Sequence, residues 1–552
     1  MKIGIDFDNT IARYDSSFRR TALANQLISQ EWKGKSKTDL RDYLRTLPEG
    51  ELLWMRLQGQ VYGKFMHQAE IMPGFVEFML KCRLRGHKIL IVSHKTEFGH
   101  FDVEQTSLRE EALKWMESKR FFDPDFFGME REDVFFADTR EEKVARIAEL
   151  ECDCFIDDLP EVFAEKTFPE SVEKVLYGKY RPDETMKSVI PLSSWEEISR
   201  HLLGISTGEE EKSLMELMTD MPIEALEKVS GRGNSRIYKV RSNEGSSYAL
   251  KIYPGADAAG RSRLTTEYNA IVFLRGHGVD ALPEVFSMDE NSNFGLYSWI
   301  DGSSVDGVDR SALHQAVDFI FRLHEISRQE VTCQISLASE ACLSLTELVR
   351  QVDARLQRLQ VVSSQYSALQ EFFTREFLPL WQDLTLSARE AWPESSKTAD
   401  LPECYRILSP SDFGFHNAIS VDGRLSFIDF EYFGWDDPVK LTADFLWHPA
   451  MQLSPEIASG WQNAMLKLFA DDPDFAHRLN VAMPLYGMRW IMILLNEFLP
   501  GIAERRRLAG GGECNNEADA QRIQLQKAML YRDRVATMYA NAFLFADKNI
   551  PT

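Results

Sequence analysis

Two aspartates stand two residues apart in Ile5-Asp6-Phe7-Asp8-Asn9-Thr10, directly after the apolar run that opens the chain. Alternate residues of an extended chain point to one side, so Asp6 and Asp8 face a common site. Carboxylates held that close need a cation between them or a shared proton. Mg²⁺, a hard ion that takes oxygen ligands, is the natural partner. A second acid pair, Asp157-Asp158, follows Cys154-Phe155-Ile156; Ser93 follows Ile91-Val92; Lys143 opens the helical stretch after Phe135-Phe136-Ala137-Asp138-Thr139. Taken singly, Asp, Asn and Thr in such places are ordinary helix caps, Ser93 is a turn residue and Lys143 a solvated lysine. The chemistry lies in their order: acid pair, hydroxyl, lysine, acid pair, each just past an apolar strand run.

The runs that position them are Ile3 to Phe7, Lys88 to Val92, Val134 to Ala137 and Cys154 to Ile156, alternating with helix-period stretches such as Phe75 to Arg85 and Glu141 to Leu150. That alternation predicts a parallel α/β sheet with ligands at the carboxyl ends of its strands. Tyr14 to Ile71 breaks the rhythm; its length and helical pattern predict a cap inserted over the site. His94 and His100 fall near the site as substrate contacts or as a polar rim, and Cys152-x-Cys154 reads as core packing.

The motif order resembles the haloacid dehalogenase superfamily of phosphohydrolases over roughly residues 1–202, with Asp6, Asp8 and Thr10 in the first motif, Ser93 in the second, Lys143 in the third and Asp157-Asp158 in the fourth. The resemblance implies a Rossmann-like α/β domain with a helical cap at about residues 14–71. It also implies Asp6 as a nucleophile that forms an aspartyl-phosphate, and Asp8 as acid and then base. Ser93 and Lys143 would hold the phosphoryl oxygens. Mg²⁺ would sit among Asp6, Asp8, Asp157 and Asp158, with Asp158 the direct ligand and Asp157 in support. The acid at position 8 favours a phosphatase.

After Leu203 the chain turns polar and charge-dense, from Gly204 to Lys212, which predicts a linker over 203–222. Beyond it, Ser230-Gly231-Arg232-Gly233-Asn234-Ser235 forms a glycine-rich turn ahead of a predicted hairpin, and Lys251 sits in Ala249-Leu250-Lys251-Ile252. A lysine turned into a lobe needs a counter-charge, which Glu267 on the helical stretch Arg263 to Leu274 supplies. Further on, Asp412 and Asn417 form D-x-x-x-x-N, and Asp429 ends the run Phe427-Ile428. Asp412 can accept a hydroxyl proton, while Asn417 and Asp429 can hold metal.

This second set resembles the aminoglycoside phosphotransferase and choline kinase family over roughly residues 223–545, and Gly434-Trp435-Asp436-Asp437-Pro438 fits the same pattern. The resemblance implies a bilobal α+β protein-kinase-like domain, taken to span 223–552, with ATP as co-substrate. Gly231, Gly233 and Asn234 would cover its phosphates and Lys251 would contact them. Ser298 and Ile300, in Leu296-Tyr297-Ser298-Trp299-Ile300, would meet adenine through backbone groups. One departure stands out: Pro410-Ser411 precedes Asp412 where the family usually has His-Gly.

Charge narrows the partners. With 63 Lys+Arg against 85 Asp+Glu, the net charge of −22 disfavours nucleic acid. No G-x-x-x-x-G-K-[ST] occurs, since Gly34-Lys35-Ser36 has Ser29 at the required upstream position, which turns the reading away from a polynucleotide kinase-phosphatase. No run of about 18 apolar residues predicts a membrane span, and the start has no signal-peptide pattern. Seven irregularly spaced cysteines suit a reducing compartment. The expectation is a cytoplasmic protein of open oligomeric state. Its expected function is a Mg²⁺-dependent phosphatase joined to an ATP-dependent kinase for a hydroxyl of a sugar, amino alcohol or related metabolite. The alternative makes the kinase-like half a nucleotide- or substrate-binding module that regulates the phosphatase.

Overall fold

Six parallel strands form the sheet of the first half, in the spatial order Val134–Ala137, Lys88–His94, Lys2–Ile5, Cys154–Asp157, Glu173–Tyr177 and Val189–Leu192. The computed structural model describes residues 1–29, 32, 34, 36–99, 105–178, 188–229, 235–255, 260–305, 307–329, 335–500 and 517–546. The central strands are apolar on both faces, as strands covered on each side by crossover helices must be. Ile89 and Ile91 enter one core and Leu90 and Val92 the other. In register, Ile5 lies beside Ile91 on one side and Ile156 on the other, so Asp6, Ser93 and Asp157 leave the sheet at one rim.

Residues between the first strand and the helix Phe75–Leu84 form the cap. The chain enters through Ala12–Arg13 and returns through Glu70–Ile71, which pair antiparallel. Three helices lie between, at Asp15–Ala24, Lys37–Arg45 and Gly50–Tyr62. The second of them begins with a capping box between Ser36 and Asp39.

The second half opens with a five-stranded antiparallel sheet, ordered Val285–Asp289, Phe294–Ser298, Ser247–Ile252, Arg236–Ser242 and Ile223–Val229. Its period-2 pattern serves two cores. Leu250 and Ile252 join the core of the first half, so Lys251 between them turns the other way, toward the helix Arg263–Gly276. A helical lobe follows. It includes Arg310–Ser327, Leu345–Ser363, Pro438–Trp447 and Phe475–Leu494, with the short hairpin Ala418–Val421/Arg424–Phe427 set among them.

The predicted linker is instead largely a helix, Gly208–Thr219. Leu214, Met215 and Met218 repeat at helical spacing and are buried, which outweighs the polar composition around them. Around this helix the halves are joined by polar bonds as well as a shared core. Arg85 Nη2 donates to Glu210 at 2.7 Å, the Glu216 carboxylate accepts the Ile223 N–H at 2.9 Å, and Arg236 pairs with Glu77. Lys119 donates to Asn291 at 2.8 Å, and Pro73 packs so closely on Gly255 that a β-carbon there has no space. Among the described residues no helix is long and apolar enough to cross a membrane.

Candidate active sites

At the rim of the parallel sheet, Lys143 is the pivot. It lies one turn into the helix Arg140–Glu149, whose start is fixed by Thr139 accepting the Glu142 N–H. Its amine, 1% exposed, donates to Asp6 at 2.5 Å and to Asp157 at 2.6 Å. Burial alone would lower its pKa; the charges of Asp157 and Asp6 overcome that and raise it. Burial raises Asp6, against the pull of Lys143 and with the push of the neighbouring acids. Burial and Asp157 also push Asp158 up to about 7. Asp6, Asp157 and Asp158 each bring a carboxylate oxygen within 4.8 Å of the others. Three acids around one buried lysine are short of positive charge, and an all-oxygen donor set of that spacing fits a hard divalent cation.

Beside this cluster is a cleft of about 80 Å³, lined by Asp6, Asp8, His94, Arg140, Lys143 and Asp158 among others. Thr10 donates to Asp158 at 3.5 Å. Ser93, fully buried two residues past Ile91, has a hydroxyl with no hydrogen-bond partner among the described residues. His94 donates from Nε2 to the Asp138 carbonyl, 3.0 Å away, on the wall of the cleft. His100 lies outside the described residues. Cys152 and Cys154 are free, buried thiols in the core.

Asp8, expected among the metal ligands, stands beside the cluster of Asp6, Asp157 and Asp158. Its carboxylate is taken by the Tyr14 hydroxyl and by Lys95, whose amine is 2.9 Å from one oxygen and 3.1 Å from the other. Lys95 is itself only 4% exposed. From the cap, Lys37 donates to Tyr62 at 2.6 Å and to Asn9 at 3.4 Å, and burial lowers its pKa. The Tyr62 ring lies between the two amines, 5.3 Å from that of Lys37 and 5.1 Å from that of Lys95. Sequence reasoning missed Tyr14, Lys37, Tyr62, Lys95 and Arg140. The only available hint was Lys95, which repeats the strand alternation two residues after Ser93.

In the second half, Lys251 donates to Glu267 at 2.7 Å and to Asp429 at 2.8 Å, and lies 3.6 Å from Glu431. Burial would lower this lysine's pKa; Asp429, Glu267 and Glu431 raise it instead. Asp429, in the left-handed backbone region at φ 70°, is pushed by burial up to about 7. Arg263 meets Glu431 at 2.7 Å, and Tyr253 donates to Glu267 at 2.8 Å. Glu267, Asp429 and Glu431 form a second oxygen cluster able to take a cation.

Asp412 lies below, on the helical lobe. Although burial would raise it, hydrogen bonding to His416 and the nearby His448 hold its pKa down at about 2. The Asn417 side-chain amide donates to the Asp412 carbonyl at 2.9 Å, and the Asn417 carbonyl accepts the Ile428 N–H at 2.9 Å, which brings Asn417 next to Asp429. Ser411 takes the left-handed conformation, φ 70°, that suits glycine. Its hydroxyl accepts from Lys440 at 2.9 Å, an amine that also pairs with Asp436 and Asp444. Gly231, Gly233 and Asn234 lie outside the described residues. Ser298 spends its N–H on the Glu284 carbonyl at 2.9 Å, so that donor is not available to adenine; Ile300 lies two residues beyond the strand end.

The second half thus sets the strand that bears Lys251 beside a helical lobe that bears the Asp412-to-Asn417 loop. Residues 225–476 match the family described as the phosphotransferase enzyme family, APH. That match places phosphotransferase-family sequence in residues 225–476, just under half of the chain. Among solved structures, ADP-bound aminoglycoside phosphotransferase APH(2'')-Ib is 17% identical, with 58% of this chain and 97% of that one covered and a TM-score of 0.37. Choline kinase LicA from Streptococcus pneumoniae is 12% identical, with 59% and 100% covered and a TM-score of 0.40. A curated 2-hydroxy-3-keto-5-methylthiopentenyl-1-phosphate phosphatase from Brevibacillus brevis is 31% identical over 98 residues, 17% of this chain. The chain spans 42% of that phosphatase's length.

Proposed function

We propose that the chain is a bifunctional phosphoryl-transfer enzyme. Residues 1–202 would be a Mg²⁺-dependent phosphatase of the haloacid dehalogenase type, and residues 223–552 an ATP-dependent kinase of small-molecule hydroxyl groups. The observation that carries the reading is the gathering of Asp6, Lys143, Asp157 and Asp158 around a phosphate-sized cleft, with the unpartnered Ser93 hydroxyl at the same rim.

In the phosphatase an Asp6 oxygen attacks phosphorus as the ester P–O bond breaks, and Asp8 gives the leaving oxygen its proton. Asp8 then takes a proton from water, whose oxygen displaces Asp6 and frees inorganic phosphate. Ser93 and Lys143 hold the phosphoryl oxygens through both steps. Asp6 and Asp158, with Asp157 in support, would hold Mg²⁺, which when bound would neutralise phosphoryl charge. In the kinase, Lys251, steadied by Glu267, contacts the ATP phosphates. Asp412 takes the proton of the acceptor hydroxyl as its oxygen bonds to the γ-phosphorus and the bond to ADP breaks. Asn417 and Asp429 would hold the metal of that site. The acceptor class is a sugar, amino alcohol or related metabolite.

The test is direct. Full-length protein with Mg²⁺ should release phosphate from p-nitrophenyl phosphate, and Asp6→Asn should abolish it. With Mg-ATP and a panel of sugars and amino alcohols, mass spectrometry should find a phosphorylated product that Asp412→Asn does not make. ATP bound without any product would replace the kinase by a nucleotide-sensing module that regulates the phosphatase.

A further inference from the structure

Two imidazoles meet Asp412, and neither has a part in the assignment above. His416, in the short turn Phe415–Asn417, sets Nε2 3.0 Å from Asp412 Oδ1. His448, just past the helix Pro438–Trp447, brings its Nε2 to 3.7 Å from the same oxygen. The rings stack face to face, with centroids 3.7 Å apart and planes within 7°. In each ring the other nitrogen places the proton. Nδ1 of His448 accepts the Ala450 N–H at 3.3 Å, which leaves the proton on Nε2. Nδ1 of His416 is buried without a partner, while its Nε2 faces a carboxylate that can only accept.

The pair is braced from outside. Trp490 meets His448 edge-on at 4.8 Å and donates its own N–H to Asp444 at 2.8 Å. Gly414 has no room for a β-carbon between Met451 and the His416 ring. Asp412, His416 and His448 lie within 4.8 Å of one another, as metal ligands could. Rings stacked in parallel cannot both turn an in-plane lone pair on one ion, so the geometry favours hydrogen bonding over ligation.

We propose that His416 and His448 are positioning residues: a stacked imidazole pair that pins one oxygen of Asp412 and leaves the other to take the acceptor's proton. This rests on Asp412 being the base of the proposed kinase. A carboxylate without such a donor swings about its terminal bond; the His416 N–H on one oxygen, with the His416 ring held flat against His448, keeps it in reacting geometry.

The test uses full-length protein carrying Asp6→Asn, so that the phosphatase consumes no nucleotide, and follows ADP release from Mg-ATP with water as acceptor. His416→Ala should lower kcat by at least about tenfold with KM for ATP within about twofold, and His448→Ala should lower kcat by about threefold. His416→Gln, whose amide N–H reaches the place of Nε2, should recover most of the loss. An unchanged kcat in His416→Ala, a loss confined to KM, or a loss that Gln does not recover overturns the pair. ¹⁵N-labelled imidazoles should both show the Nε2–H tautomer; an Nδ1–H tautomer at either ring overturns the proposal while leaving the kinase standing. No ADP release from the Asp6→Asn protein removes the kinase reading, and this proposal with it.

Discussion

Lys143 and Lys251 are both buried amines set among carboxylates, one on a crossover helix of a parallel sheet and the other on the middle strand of an antiparallel one. Their surroundings differ. The acids on Lys143 are 7% and 0% exposed, and that one amine serves both. Around Lys251 the charge is shared: Arg263 takes Glu431, the Tyr253 hydroxyl takes part of Glu267, and Asp429 is 29% exposed. The first site is electrostatically incomplete and suited to receive a cation. The second is nearer to balance, with Lys251 and Arg263 facing Glu267, Asp429 and Glu431, and an arriving phosphate must compete with Asp429 for the lysine. A buried lysine between acids is therefore one motif serving two different needs.

The comparison breaks or sharpens by mutation. Asp6→Asn should cut turnover of p-nitrophenyl phosphate by at least about 1,000-fold while ADP formation is unchanged; a loss at both sites would mean they are not separate. Lys251→Met should lower ADP formation by about 100-fold or more and leave p-nitrophenyl phosphate hydrolysis intact. For stability, Lys143→Met strands two deeply buried carboxylates and should cost about 3–5 kcal/mol in urea unfolding. Lys251→Met should cost less, because Arg263 and Tyr253 remain; equal costs would erase the distinction.

The smallest effect is a pH dependence carried by His448. Burial, then the neighbouring His416, holds the His448 pKa down at about 4. The unfolded chain takes up this proton near pH ~6.5, so stability is full above that value and falls as pH drops toward 4. His448→Gln should flatten the stability–pH curve by up to about one proton across that window. A mutant curve parallel to the wild type would show that the ring does not titrate there.

What the sequence revealed follows from the rule that parallel strands end together. Asp6, Ser93 and Asp157 each follow a strand run, and register alone brings them to one rim. Lys143 was legible because a helix start follows its strand directly. The grip on Asp8 was not, since Tyr14 and Lys37 come from the cap, whose docking no local pattern encodes. Lys440 and His448 were hidden for the same reason: they reach the Asp412 loop from a helix that begins and a turn that ends some thirty residues later. The helix Gly208–Thr219 was masked by its acidic first turn, although Leu214, Met215 and Met218 carried the signal.

Because the sheet that bears Lys251 shares its core with the helix Phe75–Leu84, that lobe has no freedom of its own. Pro73, at the exit of the cap, packs against Gly255 on the same side, so the first half and this sheet make one continuous wall. Cutting the chain at residue 203 would strip a greasy wall from both pieces at once.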